Sequence, residues 1–149
     1  MKVPHFYQSS EQTCGATCLR MLFATFGATH DEATIALRCG TTPLGCTLQD
    51  LVTGAQAFGF HAAMLSVAGE PDAAAALSKE TPFVAMLDLA SLLNQGPMFQ
   101  WHFVVPLGLA QGEVTFHDPA DGPDRKAKLD DFLAAWATAG YRGVRIWTP

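Results

Sequence analysis

An α+β fold, with helices first and an antiparallel sheet second, is expected from three observations. Apolar positions Cys18, Leu19, Leu22, Phe23 and Phe26 recur at helical spacing and stop at Gly27. Two β-rich runs, Trp101 to Leu109 and Glu113 to His117, flank Ala110-Gln111-Gly112, a hairpin signature. Finally, the helical patterns crowd the first half of the chain and the strand patterns the second.

The elements follow in order. Thr13 to Phe26 is the central helix, and Asp31 to Cys39 is a second, ended by Gly40. Thr47-Leu48-Gln49-Asp50 has the form of a capping box and opens a third helix that ends at Gly59. Phe60 to Leu65 is expected as a strand, Pro71 to Ser78 as an alanine-rich helix and Pro82 to Leu87 as an apolar strand. Asp88 to Gln100 is a long connection with Gly96-Pro97 inside it. Connections of that length often border a site, so it is a candidate substrate rim, with an exposed structural loop as the rival reading. After the hairpin, Leu129 to Ala139 is a helix with Phe132, Leu133 and Trp136 inward, and Tyr141 to Trp147 is the closing strand. Apart from Ala73 to Ala76 there is no repeat or low-complexity tract.

At 149 residues and 49% hydrophobic content, the chain fits one domain, residues 1–149, with a sizeable core. A net charge of −5 without a basic run gives no source for phosphate neutralisation, so nucleic acid is not an expected partner. No stretch approaches the roughly 20 apolar residues of a membrane span, and Met1-Lys2-Val3-Pro4-His5 has no signal core. A cytoplasmic location is therefore expected. Cys14, Cys18, Cys39 and Cys46 match no zinc spacing, and a chain of this size without an export signal needs no disulfide staples. Cys18 reads as a small core residue. No metal or organic cofactor is implied.

Chemistry enters at the mouth of the central helix. Cys14 precedes Gly15 at the helix start, where unpaired N–H groups and the helix dipole favour a thiolate. His102 supplies an imidazole to take the thiol proton, and Asp118 a carboxylate to orient that imidazole. A hairpin centred near residue 110 places 102 opposite 118 on one face, and a one-residue slip separates them. Taken singly, each has a bland rival: a buried cysteine, a core histidine, an aspartate that begins a turn. Asp121 is a weaker alternative orienter. His117 points to the opposite face and reads as structural, while His5, His30 and His61 fall outside any constellation. Gly15 lets a substrate backbone approach the thiol, although close helix packing selects glycine too. Gly15 and Trp101 are the candidate substrate contacts.

The order Gln8, then Cys-Gly-x-x-Cys-Leu from Cys14, then His-Phe-Val-Val from His102, then His-Asp-Pro-Ala-Asp-Gly from His117, resembles the bacteriocin-processing peptidases. These are papain-like domains that cut leader peptides after a Gly-Gly pair. The similarity runs essentially end to end. It implies a papain-like fold, Cys14 as nucleophile, His102 as general base, Asp118 as orienter and Gln8 as an oxyanion donor beside the Cys14 backbone N–H. Gln12, two residues before the cysteine, suits the start of the helix better. Such domains commonly head a transporter, whereas this chain ends at Pro149, as a stand-alone enzyme or an excised domain. The Asp88 to Gln100 connection also looks expanded relative to the family.

The expected function is a cysteine endopeptidase that cuts after small residues, foremost Gly-Gly. Its partners are a peptide or protein with a Gly-Gly site and an exporter or an immunity protein, for leader maturation or for a toxin domain delivered into a target-cell cytoplasm. The rival readings are a peptide-binding module without turnover and acyl transfer to an amine on the same triad.

Overall fold

The computed structural model describes residues 2–79 and 81–149. Among these described residues, six α-helices surround one six-stranded sheet of order β1-β6-β2-β3-β4-β5. The helices are α1 (Cys14–Thr25), α2 (Glu32–Arg38), α3 (Leu48–Ala57), α4 (Glu70–Ser78), α5 (Leu89–Leu92) and α6 (Leu129–Thr138). The strands are β1 (His61–Ser66), β2 (Val84–Asp88), β3 (Trp101–Ala110), β4 (Glu113–Asp118), β5 (Gly122–Lys128) and β6 (Arg142–Trp147). All pairings are antiparallel.

The sheet separates two apolar clusters. Phe23, Ile35 and Leu51 from α1, α2 and α3 pack on Met86, Phe103 and Val105. On the other side Leu77, Phe132 and Trp136 from α4 and α6 pack on Leu87, Val104 and Phe116. Alternate residues of β2 and β3 thus enter different cores, which is why β2 is buried at every position and reads as an unbroken apolar run. Caps fix the helix starts: Asp31 accepts from the Thr34 N–H at 2.7 Å, and Thr47 and Asp50 form the expected capping box.

Two expectations need correction. Gly122–Lys128 is an edge strand where the sequence pattern predicts none, because its exposed Asp124, Arg125 and Lys126 carry no apolar alternation. The hairpin is also centred differently. Gln111 and Gly112 both have positive φ, 54° and 75°, so the two-residue turn lies between them. That register alone would put Asp118 on the face opposite to His102. A bulge between Pro106 and Gly108 shifts it, giving Val105↔His117. Asp118 therefore falls across from Val104, one step diagonal from His102 on the same face, and not directly opposite it.

Candidate active site

Cys14 is the first residue of α1, preceded by a 3₁₀ turn over Glu11–Thr13. Gly15 brings that helix end against the start of β3: a Cβ there would lie 2.9 Å from Cys46 Sγ, 3.0 Å from Leu51 Cδ2 and 3.2 Å from Phe103 Cδ2. Gly15 is buried, so close packing accounts for the glycine, and it does not line the groove that holds Cys14.

His102 and Asp118 are both buried, and His102 Nε2 lies 2.8 Å from Asp118 Oδ1. The same carboxylate oxygen accepts the backbone N–H groups of Ala120 at 2.8 Å and Asp121 at 3.3 Å, so Asp118 starts a turn and contacts the imidazole at once. Burial alone would raise the Asp118 pKa, but the His102 contact and these N–H donors outweigh it and hold the carboxyl below its usual range. Burial likewise pulls His102 down, yet hydrogen bonding to Asp118 and to the Cys14 thiol, together with their charges, pushes it up to about 9. Since Nε2 faces the carboxylate, Nδ1 is the nitrogen left for the thiol. Asp121 instead pairs with Arg125 at 3.0 Å on the surface.

Gln8 is carried by an N-terminal segment strapped across the β4–β5 turn. Its backbone N–H donates to Pro119 O at 2.8 Å, and its Nε2 donates to Ser10 O at 2.8 Å, leaving one amide hydrogen free of that bond. Gln8 Oε1 is buried without a partner among the described residues. Two histidines hold the strap. His117 donates from Nε2 to Val3 O at 2.8 Å and accepts the Asp124 N–H on Nδ1 at 3.1 Å, which fixes the orientation of its ring. His5, which the sequence left outside any constellation, donates from Nε2 to the Asp118 carbonyl at 2.7 Å and packs edge-on against His117. Only the fold brings residue 5 to residue 118, so no local pattern signals this support.

Cys14 opens into a groove of about 680 Å³ with Gln12, Cys46, Met86, Trp101 and Phe103 among its walls. All four cysteines are free. Cys18 is fully buried in the core, and its thiol is raised well above its ordinary value, first by that burial. Burial pushes Cys39 and Cys46 up to about 12. These three are protected as thiols, whereas Cys14 is half-buried beside an imidazole. Trp101, at the mouth of the groove, is 45% exposed.

Among the described residues, no helix is long and apolar enough to cross a membrane. No curated protein sequence matches the chain significantly. Among solved structures, the peptidase domain of Streptococcus ComA, a bi-functional ABC transporter involved in a quorum-sensing pathway, is similar at 15% identity and a TM-score of 0.82. That match covers 99% of this chain and 100% of the other. A double glycine motif protease from an AMS/PCAT transporter, solved with its leader peptide, is 22% identical with a TM-score of 0.79 over 99% of this chain and 93% of its own. A putative C39-like peptidase from Bacillus anthracis is 17% identical, also at 0.79, over 99% and 96%. Such likeness shows the papain-like α+β fold. The sequence pattern of the Peptidase C39 family spans residues 2–141, nearly the whole chain, and the protein is accordingly a cysteine peptidase belonging to that family.

Proposed function

We propose that residues 1–149 act as one domain that hydrolyses a peptide bond after a Gly-Gly pair, with Cys14, His102, Asp118 and Gln8 as its machinery. The observation that carries this reading is the buried 2.8 Å contact of His102 with Asp118, at the head of the strand against which the Cys14 end of α1 packs. His102 takes the Cys14 proton, and the sulfur attacks the scissile carbonyl carbon. The oxyanion is held by the Cys14 backbone N–H and the free Gln8 amide hydrogen; removing one such donor typically costs about 10²–10³ in turnover. The protonated imidazole then gives its proton to the leaving amine, and a water activated by His102 hydrolyses the thioester. Glycine suits a groove walled by Cys46 and Trp101, because specificity for residues without side chains is built by steric exclusion. Maturation of a leader-bearing peptide is the setting favoured by the transporter-derived structural relatives. A toxin domain that cuts a target protein would use the same chemistry, and neighbouring genes separate the two.

The test is intact mass after incubation with a leader-like Gly-Gly peptide and, separately, with iodoacetamide. Native protein is expected to cut after Gly-Gly and to be labelled at Cys14; Cys14→Ala abolishes both, and His102→Ala abolishes cutting and slows labelling. Equal cutting of Gly-Gly and Ala-Ala peptides would sink the specificity, and product mass with an added amine separates hydrolysis from acyl transfer.

A further inference from the structure

The Asp88 to Gln100 connection is not an unorganised loop. It folds around one carboxylate. Asp88 is fully buried, and Oδ2 accepts Ser91 Oγ at 2.6 Å and the Met98 N–H at 3.0 Å, while Oδ1 accepts the Gln100 N–H at 2.9 Å. Leu89 N–H closes the base of the excursion on Gln100 O at 2.8 Å. Gly96 is required for the tight wrap, since a Cβ there would lie 2.6 Å from Ser91 N and 2.7 Å from Asp88 Oδ2. No lysine or arginine among the described residues pairs with this carboxylate. A buried carboxylate answered only by N–H and O–H donors fixes a backbone shape closely.

What that shape presents to water is apolar: Met98 is 67% exposed, Phe99 64% and Trp101 45%. Phe99 packs edge-on against Trp101 with ring centroids 5.9 Å apart. Trp101 lies opposite Asp88 in the β2–β3 pair and also walls the Cys14 groove, so the pinned loop and the groove are continuous. Chemistry names a candidate occupant. After the first step the acyl half of the substrate remains bonded to Cys14, so the residues on the N-terminal side of the scissile bond stay anchored beside this groove.

We propose that Asp88 is a positioning residue for substrate recognition: it fixes the 89–100 loop so that Met98, Phe99 and Trp101 form a rim against which the segment preceding the cleaved pair lies. This rests on the peptidase reading above. The rim acts on affinity and leaves the chemical step alone.

The experiment compares native protein with Asp88→Asn and Phe99→Asn. Asparagine at 99 suits the positive φ of 57° found there and removes only the ring. KM and kcat are measured on a long peptide with a leader-like segment before Gly-Gly and on a short acyl-Gly-Gly amide. Binding of the fluorescein-labelled long peptide is measured by anisotropy in a Cys14→Ser background. Both substitutions are expected to raise KM for the long peptide about tenfold and to weaken its binding equally, with kcat, Cys14 alkylation and the short amide unchanged. Unchanged KM and anisotropy would overturn the proposal, as would parallel losses on both substrates and in alkylation, which mean a distorted site. If native protein cuts neither substrate, the peptidase reading fails, and the anisotropy series still decides whether the rim binds peptide.

Discussion

At His102 two opposing forces meet, and their balance sets how the protein responds to pH. Burial disfavours the imidazolium, and Asp118 with Cys14 more than restores it, to about 9. The unfolded histidine titrates near ~6.5, so this proton contributes stability that is fully present below about 6.5 and is lost as pH rises through 9. Asp118, with its pKa lowered, contributes stability above the ordinary carboxylate range that is lost as pH falls through it. The pair is therefore worth most in mildly acidic solution. Replacing Asp118 by Asn keeps an acceptor for the ring and removes the charge. The alkaline limb of kcat/KM in Asp118→Asn is expected to move down by at least about one pH unit, with a smaller loss of rate than in Asp118→Ala. A limb that stays near pH 9 in the asparagine variant would show that the carboxylate does not set the imidazole. The candidate residues Cys14, Gln8, His102 and Asp118 could be picked out in the sequence because together they follow the order and spacing of the resembling family. His5 and Asp88 could not, since their partners lie far along the chain or are backbone groups.

At the scale of elements, the β3–β4 hairpin and the first turn of α1 decide whether those side chains meet. The sequence gives the hairpin's existence through its two β-rich runs and Gly112. It does not give the register, because the turn at Gln111 and Gly112 moves the hairpin centre beyond residue 110 and the bulge before Gly108 moves it partway back. Two such shifts brought Asp118 back to the face of His102, so the expected contact formed through a different pairing. Strand β5 has no apolar signature for a plainer reason: its charges serve an exposed edge, where alternation has no core to answer. The contact of α1 with β3 leaves no room at Gly15. Gly15→Ala is expected to lower stability by about 1–3 kcal/mol in urea unfolding, and Cys46→Ala in the same chain to recover part of that loss, because the two side chains would compete for one space. Strictly additive effects in the double variant would contradict the packing account.

At the scale of the whole molecule, β6 joins the two halves. It pairs with β1 along Arg142 to Trp147 and with β2 at Gly143 and Val144. Gly143 sits so close to β2 that a Cβ would lie 2.1 Å from Val84 O. Gly143→Ala therefore has to separate β6 from β2, and a loss of about 3 kcal/mol or more is expected, read as a shifted unfolding midpoint and a lower soluble yield. A near-native midpoint would mean that the seam between the halves is looser than the packing around Gly143 indicates. The alternation of apolar residues in β6 revealed a strand; its central place in the sheet did not follow from the sequence, because nothing local says that the last strand inserts between the first and the second.

That placement has a consequence for the timing of activity. The helix bearing the thiol and the strand bearing the imidazole are made early and late, and the sheet that holds them in register lacks its inner strand until residue 147 has emerged. During synthesis the nascent chain carries an exposed cysteine but no assembled cleft. In this order of synthesis the thiol and the imidazole come into register only once the last strand has inserted between β1 and β2.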